Sequence, residues 1–219
     1  MLQGVLFDMD GLMFDTERIG LDGWHKAAET LRIDLPEEII AAMRGTGTDR
    51  CREIFNAAIP GSLYDTAHDL RLRYADEVIA ANGVPVKPGL RELLRWLKVS
   101  GIPAVLATST RREKALAYLQ QTDVERYFTA AVFGPEVARP KPAPDIFRAA
   151  AAAIRADPAH CVVLEDSPNG LQAAKAAGCP AIVVPDLTPA PAESEHLWNY
   201  CAKDLREVQQ ILLKEREKL

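Results

Sequence analysis

The 219-residue sequence predicts an α/β fold, a parallel sheet flanked by helices and carrying an inserted all-helical segment. Three observations predict it. The apolar run Val5-Leu6-Phe7 lies almost at the N-terminus and stops at Asp8. Residues 16–82 then show helical periodicity alone. From about residue 90, short apolar runs alternate with helical patterns, as βα units do.

Each element follows in order. Val5 to Phe7 reads as a strand buried on both faces. Asp8 and Asp10 end it, and Gly11 lets the backbone turn. Leu21, Trp24, Ala28 and Leu31 recur at three- and four-residue steps in a first helix from Thr16. Pro36 opens a second, with Ile39, Ile40 and Met43. After the polar loop Arg44-Gly45-Thr46-Gly47-Thr48-Asp49-Arg50, Thr48 or Asp49 is expected to cap a third, with Ile54, Phe55 and Ala58. Pro60-Gly61 ends it. A fourth puts Ala67, Leu70, Tyr74, Val78 and Ala81 on one face.

The punctuated stretch at 82–89 marks a boundary. Leu90, Leu93, Leu94 and Leu97 stripe the next helix. The run at 102–107 is a buried strand ending in Thr108-Ser109-Thr110. Ala115, Leu116 and Leu119 mark a helix, and Ala131-Val132-Phe133 a short strand. Pro144 opens an alanine-rich helix. Cys161 to Leu164 is a strand ending in Glu165-Asp166. Ser167 and Pro168 suit the cap and first turn of the following helix, and Gly178 its end. Ala181 to Val184 is a fifth strand, 186–192 a proline-rich loop, and Leu205, Val208, Ile211 and Leu212 a closing helix. Residues 1–15 and 86–219 thus read as a Rossmann-like core and 16–85 as a helical cap. Both crossings fall at the sheet end where ligands bind, so the cap is expected to act as a hinged lid over the carboxyl ends of the strands.

The bulk properties narrow the partners. A hydrophobic content of 48% is ample for a packed core and argues against disorder. A net charge of −5 argues against nucleic acid or an anionic membrane as partner. It also requires that an anionic substrate be attracted locally. No apolar run is long enough for a membrane span, and no secretory signal is legible. Cys51, Cys161, Cys179 and Cys201 lack CxxC spacing. They read as reduced thiols in a cytoplasmic protein, mostly filling small core spaces. A monomer is the simplest expectation. Trp24, Trp96 and Trp198 read as packing residues, although Trp24 is also placed to face a cleft.

Asp8 and Asp10 demand an explanation, because close carboxylates repel unless a proton or cation intervenes. A calcium-binding EF-hand loop from Asp8 fails, since its sixth and twelfth positions hold Met13 and Ile19. That leaves a polar turn or a nucleophilic carboxylate with a partner acid and a hard cation. Polar groups at three other places weigh for the second: Thr108 and Ser109, Glu165 and Asp166, and Lys141 between two prolines. Each has a plain structural alternative (a cap, a favourable charge at a helix start, a solvated lysine). Coincidence at all four is harder to accept.

The set suits phosphoryl transfer, where catalysis is mostly positioning and charge stabilisation. Asp8 and Asp166, helped by Glu165, could hold Mg²⁺. Asp8 could attack phosphorus and form an aspartyl-phosphate. Asp10 could protonate the leaving oxygen and then deprotonate water. Thr108 and the Ser109 amide could bind phosphate oxygens, and Lys141 could offset transition-state charge.

Phe7-Asp8-Met9-Asp10-Gly11, Leu106-Ala107-Thr108-Ser109, Lys141 and Glu165-Asp166-Ser167 resemble, in order, the four motifs of the haloacid dehalogenase-like superfamily. The likeness spans essentially the whole chain. The opening motif, continued through Glu17, and the run from Lys141 to Phe147 look most like the β-phosphoglucomutase-like branch, whose members carry a helical cap. The resemblance implies that Asp8 is the nucleophile and Asp10 the acid/base. It also implies Mg²⁺ held by Asp8, the Asp10 backbone carbonyl and Asp166. Two positions depart from the mutase pattern. Gly20 stands where the mutases carry a His. Thr48 stands where their cap loop carries an Arg, with Arg50 two residues on. Hydrolysis needs neither. The dehalogenases proper lack the second acid of the first motif, so Asp10 argues against carbon–halogen cleavage.

The expectation is a Mg²⁺-dependent phosphatase for a small phosphorylated metabolite such as a sugar phosphate. Thr16, Arg44, Thr46 and Arg50 are candidates for substrate selection, with a structural turn as the equal alternative. The rivals are a sugar phosphomutase and a non-catalytic phosphometabolite-binding protein.

Overall fold

The computed structural model describes residues 2–187 and 192–215. The chain divides into two compact units, Thr16–Val84 and the remainder, Met1–Asp15 with Pro85–Leu219. After strand β1 (Gly4–Phe7), the inserted unit contains helices α1 (Thr16–Leu31), α2 (Glu37–Met43), α3 (Thr48–Ala58) and α4 (Tyr64–Asn82). The other unit continues with α5 (Leu90–Val99), β2 (Ala104–Thr108), α6 (Arg112–Gln121), β3 (Phe128–Phe133) and α7 (Asp145–Ala153). It ends with β4 (Cys161–Glu165), α8 (Pro168–Ala177), β5 (Ala181–Val183), β6 (Tyr200–Cys201) and α9 (Leu205–Glu215).

The sheet order is β3-β2-β1-β4-β5-β6, and every pairing is parallel. Strand order reverses beside β1, which makes the carboxyl end of β1 the topological switch point. Phe7 pairs with Leu106 and with Leu164, so residue 8 comes level with the ends of both neighbours. All residues of β1, β2 and β4 are buried, which explains why their sequences read as unbroken apolar runs. On one face Leu6, Val105 and Val163 pack with Ile146 and Phe147 of α7 and Leu171 and Ala174 of α8. Burial of such side chains contributes roughly 1.5–3 kcal/mol each. The cap of α8 is made as expected: Ser167 Oγ accepts from the Gly170 amide at 3.1 Å, Pro168 occupies the first turn and Gly178 closes the helix at φ 85°.

The helical unit has its own core. Trp24 and Ala27 of α1 meet Ile40, Met43, Phe55, Tyr64 and Ala67. Trp24 is buried there against Phe55 and Tyr64, as a packing residue. Gly20 and Gly23 form the close face of α1. Arg71 of α4 lies across both, its Nε donating to the Gly20 carbonyl at 3.2 Å and its guanidinium resting over the Trp24 ring.

The structure alters several details. The third helix is preceded by Gly47 in an extended conformation, so Thr48 is already helical and neither it nor Asp49 caps; the Gly47 carbonyl takes the Cys51 amide instead. Ala81 is exposed, because drift of the 3.6-residue period brings Ile79 to the buried face. The second strand begins at Ala104 rather than 102: Pro103 has no amide to pair, although its carbonyl accepts from Val5. Strand β3 starts three residues before Ala131. Strand β6, two residues long, gave no periodic signal. Cys161 and Cys179 fill the core as expected, Cys51 is partly buried, and Cys201 is exposed. Residues 188–191 of the proline-rich loop lie outside the described residues. Among the described residues no helix is long and apolar enough to cross a membrane.

Candidate active site

Asp8 follows β1 directly, and its amide continues the sheet by donating to the Leu164 carbonyl at 3.1 Å. The chain then folds back tightly. Met13 and Phe14 amides both donate to the Met9 carbonyl, and the Gly11 amide donates to Phe14. Met9, Leu12, Met13 and Phe14 anchor this loop in the core, which leaves the carboxylates between them to line the strand ends. Gly11 sits at φ 81°, and a Cβ there would collide with the Asp166 carboxylate. The glycine therefore serves both the turn and the close approach of β4.

Lys141 joins the two central strands. Its Nζ donates to Asp8 Oδ1, to Glu165 Oε1 at 2.7 Å and to the Ala107 carbonyl at 3.2 Å, which uses all three ammonium hydrogens. The Lys141 side chain is 7% exposed and that of Glu165 0%. Glu165 Oε2 accepts from the Asp166 amide, the Ser167 amide and the Ser167 hydroxyl. Gly170 is required behind it, since a Cβ there would strike the Glu165 carboxylate. Glu165 is thus an anchor for Lys141 and for the backbone that carries Asp166.

The charges do not balance. Among the described residues Asp8, Glu165 and Asp166 each offer a carboxylate oxygen, all within 4.8 Å of one another, and the Lys141 ammonium bonds two of the three side chains. Burial pushes the Asp8 carboxyl up to about 7; Lys141 opposes this, and Glu165 and Asp10 add to it. Burial alone would lower the Lys141 pKa, but Asp8 and Glu165 outweigh it and hold the amine protonated well above its ordinary value. The surplus of hard oxygen donors is what a divalent cation such as Mg²⁺ would neutralise, so the donor set fits that ion.

The other expected residues fall as follows. Thr108 ends β2, buried, and its Oγ1 accepts from the Thr110 amide at 3.0 Å. This is a local turn interaction and not the helix cap offered as its plain alternative, since Arg111 precedes α6, and it leaves the hydroxyl hydrogen to donate. Ser109 is exposed at the strand end, where a Cβ on Gly134 would strike its backbone. Asp10 Oδ2 accepts from Thr110 Oγ1 at 2.6 Å. Thr110 is the site residue that sequence reasoning passed over. It stood in view as the third hydroxyl of Thr108-Ser109-Thr110, but only folding brings it to Asp10.

Thr16, Arg44, Thr46 and Arg50 belong to the helical unit. Thr16 begins α1 and Arg44 flanks the end of α2. Thr46 Oγ1 donates to the Met43 carbonyl at 2.8 Å, and exposed Arg50 pairs with Glu53 at 2.8 Å. A turn role accounts for Thr46.

A family model for haloacid dehalogenase-like hydrolases matches residues 2–178. The chain belongs to this family. It is 34% identical over 182 residues to a phosphorylated carbohydrates phosphatase of Thermotoga maritima, covering 81% of this chain and 82% of that protein. It is 30% identical over 192 residues to β-phosphoglucomutase of Bacillus subtilis, covering 84% and 83%. Among solved structures, a variant of CbbY from Rhodobacter sphaeroides in complex with xylulose-(1,5)bisphosphate has a TM-score of 0.76 at 26% identity, covering 94% of this chain and 96% of that one. These relatives agree with the branch that the motifs resemble.

Proposed function

We propose that this family member is a Mg²⁺-dependent phosphatase that hydrolyses a small phosphate monoester of the sugar-phosphate class through an aspartyl-phosphate. One observation carries the reading: Asp8 is fixed at one oxygen by Lys141 beside Asp166, with Asp10 two residues on and oriented by Thr110. The 34% identity to a carbohydrate-phosphate phosphatase supports the substrate class.

Asp8 and Asp166, with the Asp10 backbone carbonyl, would hold the cation, which when bound neutralises the carboxylates and the incoming phosphate. Asp8 attacks phosphorus while the bond to the sugar oxygen breaks. Asp10, protonated at this stage, gives its proton to that oxygen. Asp10 then removes a proton from water as the water oxygen attacks phosphorus, and the bond to Asp8 breaks to release inorganic phosphate. Thr108 and the Ser109 amide hold phosphate oxygens, and Lys141 balances the charge that develops on them. The helical segment selects the substrate. A panel of phosphate esters, assayed with Mg²⁺ and with chelator, tests the reading. Cation-dependent phosphate release from sugar phosphates is expected. Equal release with and without cation would refute it.

Phosphate transfer within a sugar is the second reading, favoured by the identity to β-phosphoglucomutase. Against it, Gly20 stands where the mutase pattern has a His, and a Cβ there would run into the Arg71 guanidinium. Incubation with β-glucose 1-phosphate and a bisphosphate primer separates the two. Glucose 6-phosphate would favour the mutase; free sugar and phosphate would favour the hydrolase.

A further inference from the structure

Asp186 follows β5 at the same edge of the sheet, and the mechanism above makes no use of it. Its side chain is 6% exposed. Oδ1 accepts from Lys87 Nζ. Oδ2 is buried and has no hydrogen-bond partner among the described residues. Leaving an anionic oxygen in this state costs roughly 1–3 kcal/mol or more, so a donor is required.

The position of Oδ2 indicates what that donor is. It lies 3.3 Å from the point where a Cβ on Gly11 would stand. The Asp166 carboxylate crowds the same point. Two carboxylates therefore converge on one glycine, and one of them is a member of the cluster with Asp8. Among the described residues no cationic side chain pairs with Oδ2, and Lys87 faces Oδ1 and Asp15, 3.3 Å away. A magnesium ion keeps several of its waters when protein carboxylates bind it, and each such water is polarised into a strong donor.

We infer that Asp186 is a positioning residue of the cation site: its free Oδ2 accepts a hydrogen bond from a cation-bound water, and Lys87 holds the carboxylate in that orientation through Oδ1. This rests on the cation-dependent reading above and extends it to a residue outside the four motifs. Outer partners of this kind set affinity as well as orientation.

The test is Mn²⁺ binding to the full chain, read by electron paramagnetic resonance of the free ion, so that turnover does not enter. Asp186→Asn is the informative variant. Lys87 needs an acceptor, so the amide oxygen turns to it and the NH₂ group faces the site, replacing an acceptor with a donor. Mn²⁺ affinity is expected to fall by about 10- to 100-fold, and Asp186→Glu, which restores an acceptor, to recover part of the loss. Melting in chelator checks that the variants are folded. Affinity of Asp186→Asn within about two-fold of the native value overturns the inference and leaves the phosphatase reading standing. If the native chain itself binds no Mn²⁺, the cation-dependent reading fails and this one with it. Should the variants not fold, crystals of the native chain grown with Mn²⁺ decide: a cation-bound water within about 3 Å of Asp186 Oδ2 supports the assignment, and none there overturns it.

Discussion

Lys141 donates a hydrogen bond to Asp8 across 133 residues of sequence, and both side chains are buried. A buried ammonium that loses its acceptors, or carboxylates that lose their ammonium, leave uncompensated charge in a medium that solvates it poorly. Lys141→Met strands both Asp8 and Glu165. Equilibrium urea unfolding is expected to show a loss of about 3–5 kcal/mol, with turnover abolished. A variant as stable as the native chain would show that the pair is solvated.

Burial pushes the Asp8 carboxyl up to about 7 in the cation-free protein. The folded state therefore favours the protonated form, while the unfolded chain ionises at its ordinary, lower pH. Stability from this group is present below about pH 4 and is lost as pH rises through 7. Asp8→Asn mimics the neutral form. In chelator it should match the native protein in stability near pH 4 and exceed it progressively above, by up to about 1.4 kcal/mol per pH unit until pH 7. Turnover in Mg²⁺ should be lost by more than about 10³-fold. A stability gap that does not change with pH would contradict the assignment.

Thr110→Val removes the hydroxyl that orients Asp10 and keeps the shape. Leaving an acceptor without its donor costs about 1–3 kcal/mol, or roughly 5- to 150-fold in rate. The fall should appear in kcat, with Mn²⁺ affinity near native. Unchanged kcat would remove Thr110 from the site.

In the helical unit, Gly20→His drives a side chain into Arg71. It is expected to lower the melting temperature rather than confer mutase activity. Combined with Arg71→Ala, it should regain part of the loss, because the two positions touch and their effects do not add.

Thiol labelling should follow burial. Burial pushes Cys179 up to about 12 and Cys161 up to about 11. In the native protein at pH 8, exposed Cys201 is expected to react with an aromatic disulfide reagent well before either, and both should appear on unfolding.

What the sequence disclosed tracks the range of the forces involved. Val5-Leu6-Phe7 and Cys161 to Leu164 were readable because a strand buried on both faces is apolar at every position. The cap of α8 was readable because Ser167 acts on Gly170, three residues away. Thr48 misled, since the choice of cap depended on the conformation of Gly47. Of the site, Asp8, Asp10 and Asp166 were legible as carboxylates following strand ends, and Lys141 as a cation between two prolines. The pairing of Thr110 with Asp10, and of Asp186 with Lys87, was not, because each joins distant segments and neither residue has a distinctive local spacing. Glu165 shows the same limit: its identity was visible, but its role as the anchor of Lys141 and of the Asp166 amide emerged only from three-dimensional contacts.

Where the chain departs from the sheet unit and re-enters it, Phe14 and Val86 pair antiparallel, with the Asp15 amide bonded to Pro85 and the Lys87 amide to Met13. The two junctions of the 16–84 segment are thereby zipped side by side, about 5 Å apart, at a seam of the α/β scaffold. Such a seam works as a cloning site made of backbone. A segment whose two ends meet at one strand spacing can be joined to the α/β scaffold there with the pairing of Phe14 and Val86 kept whole, so the scaffold carries its own closure across the insertion.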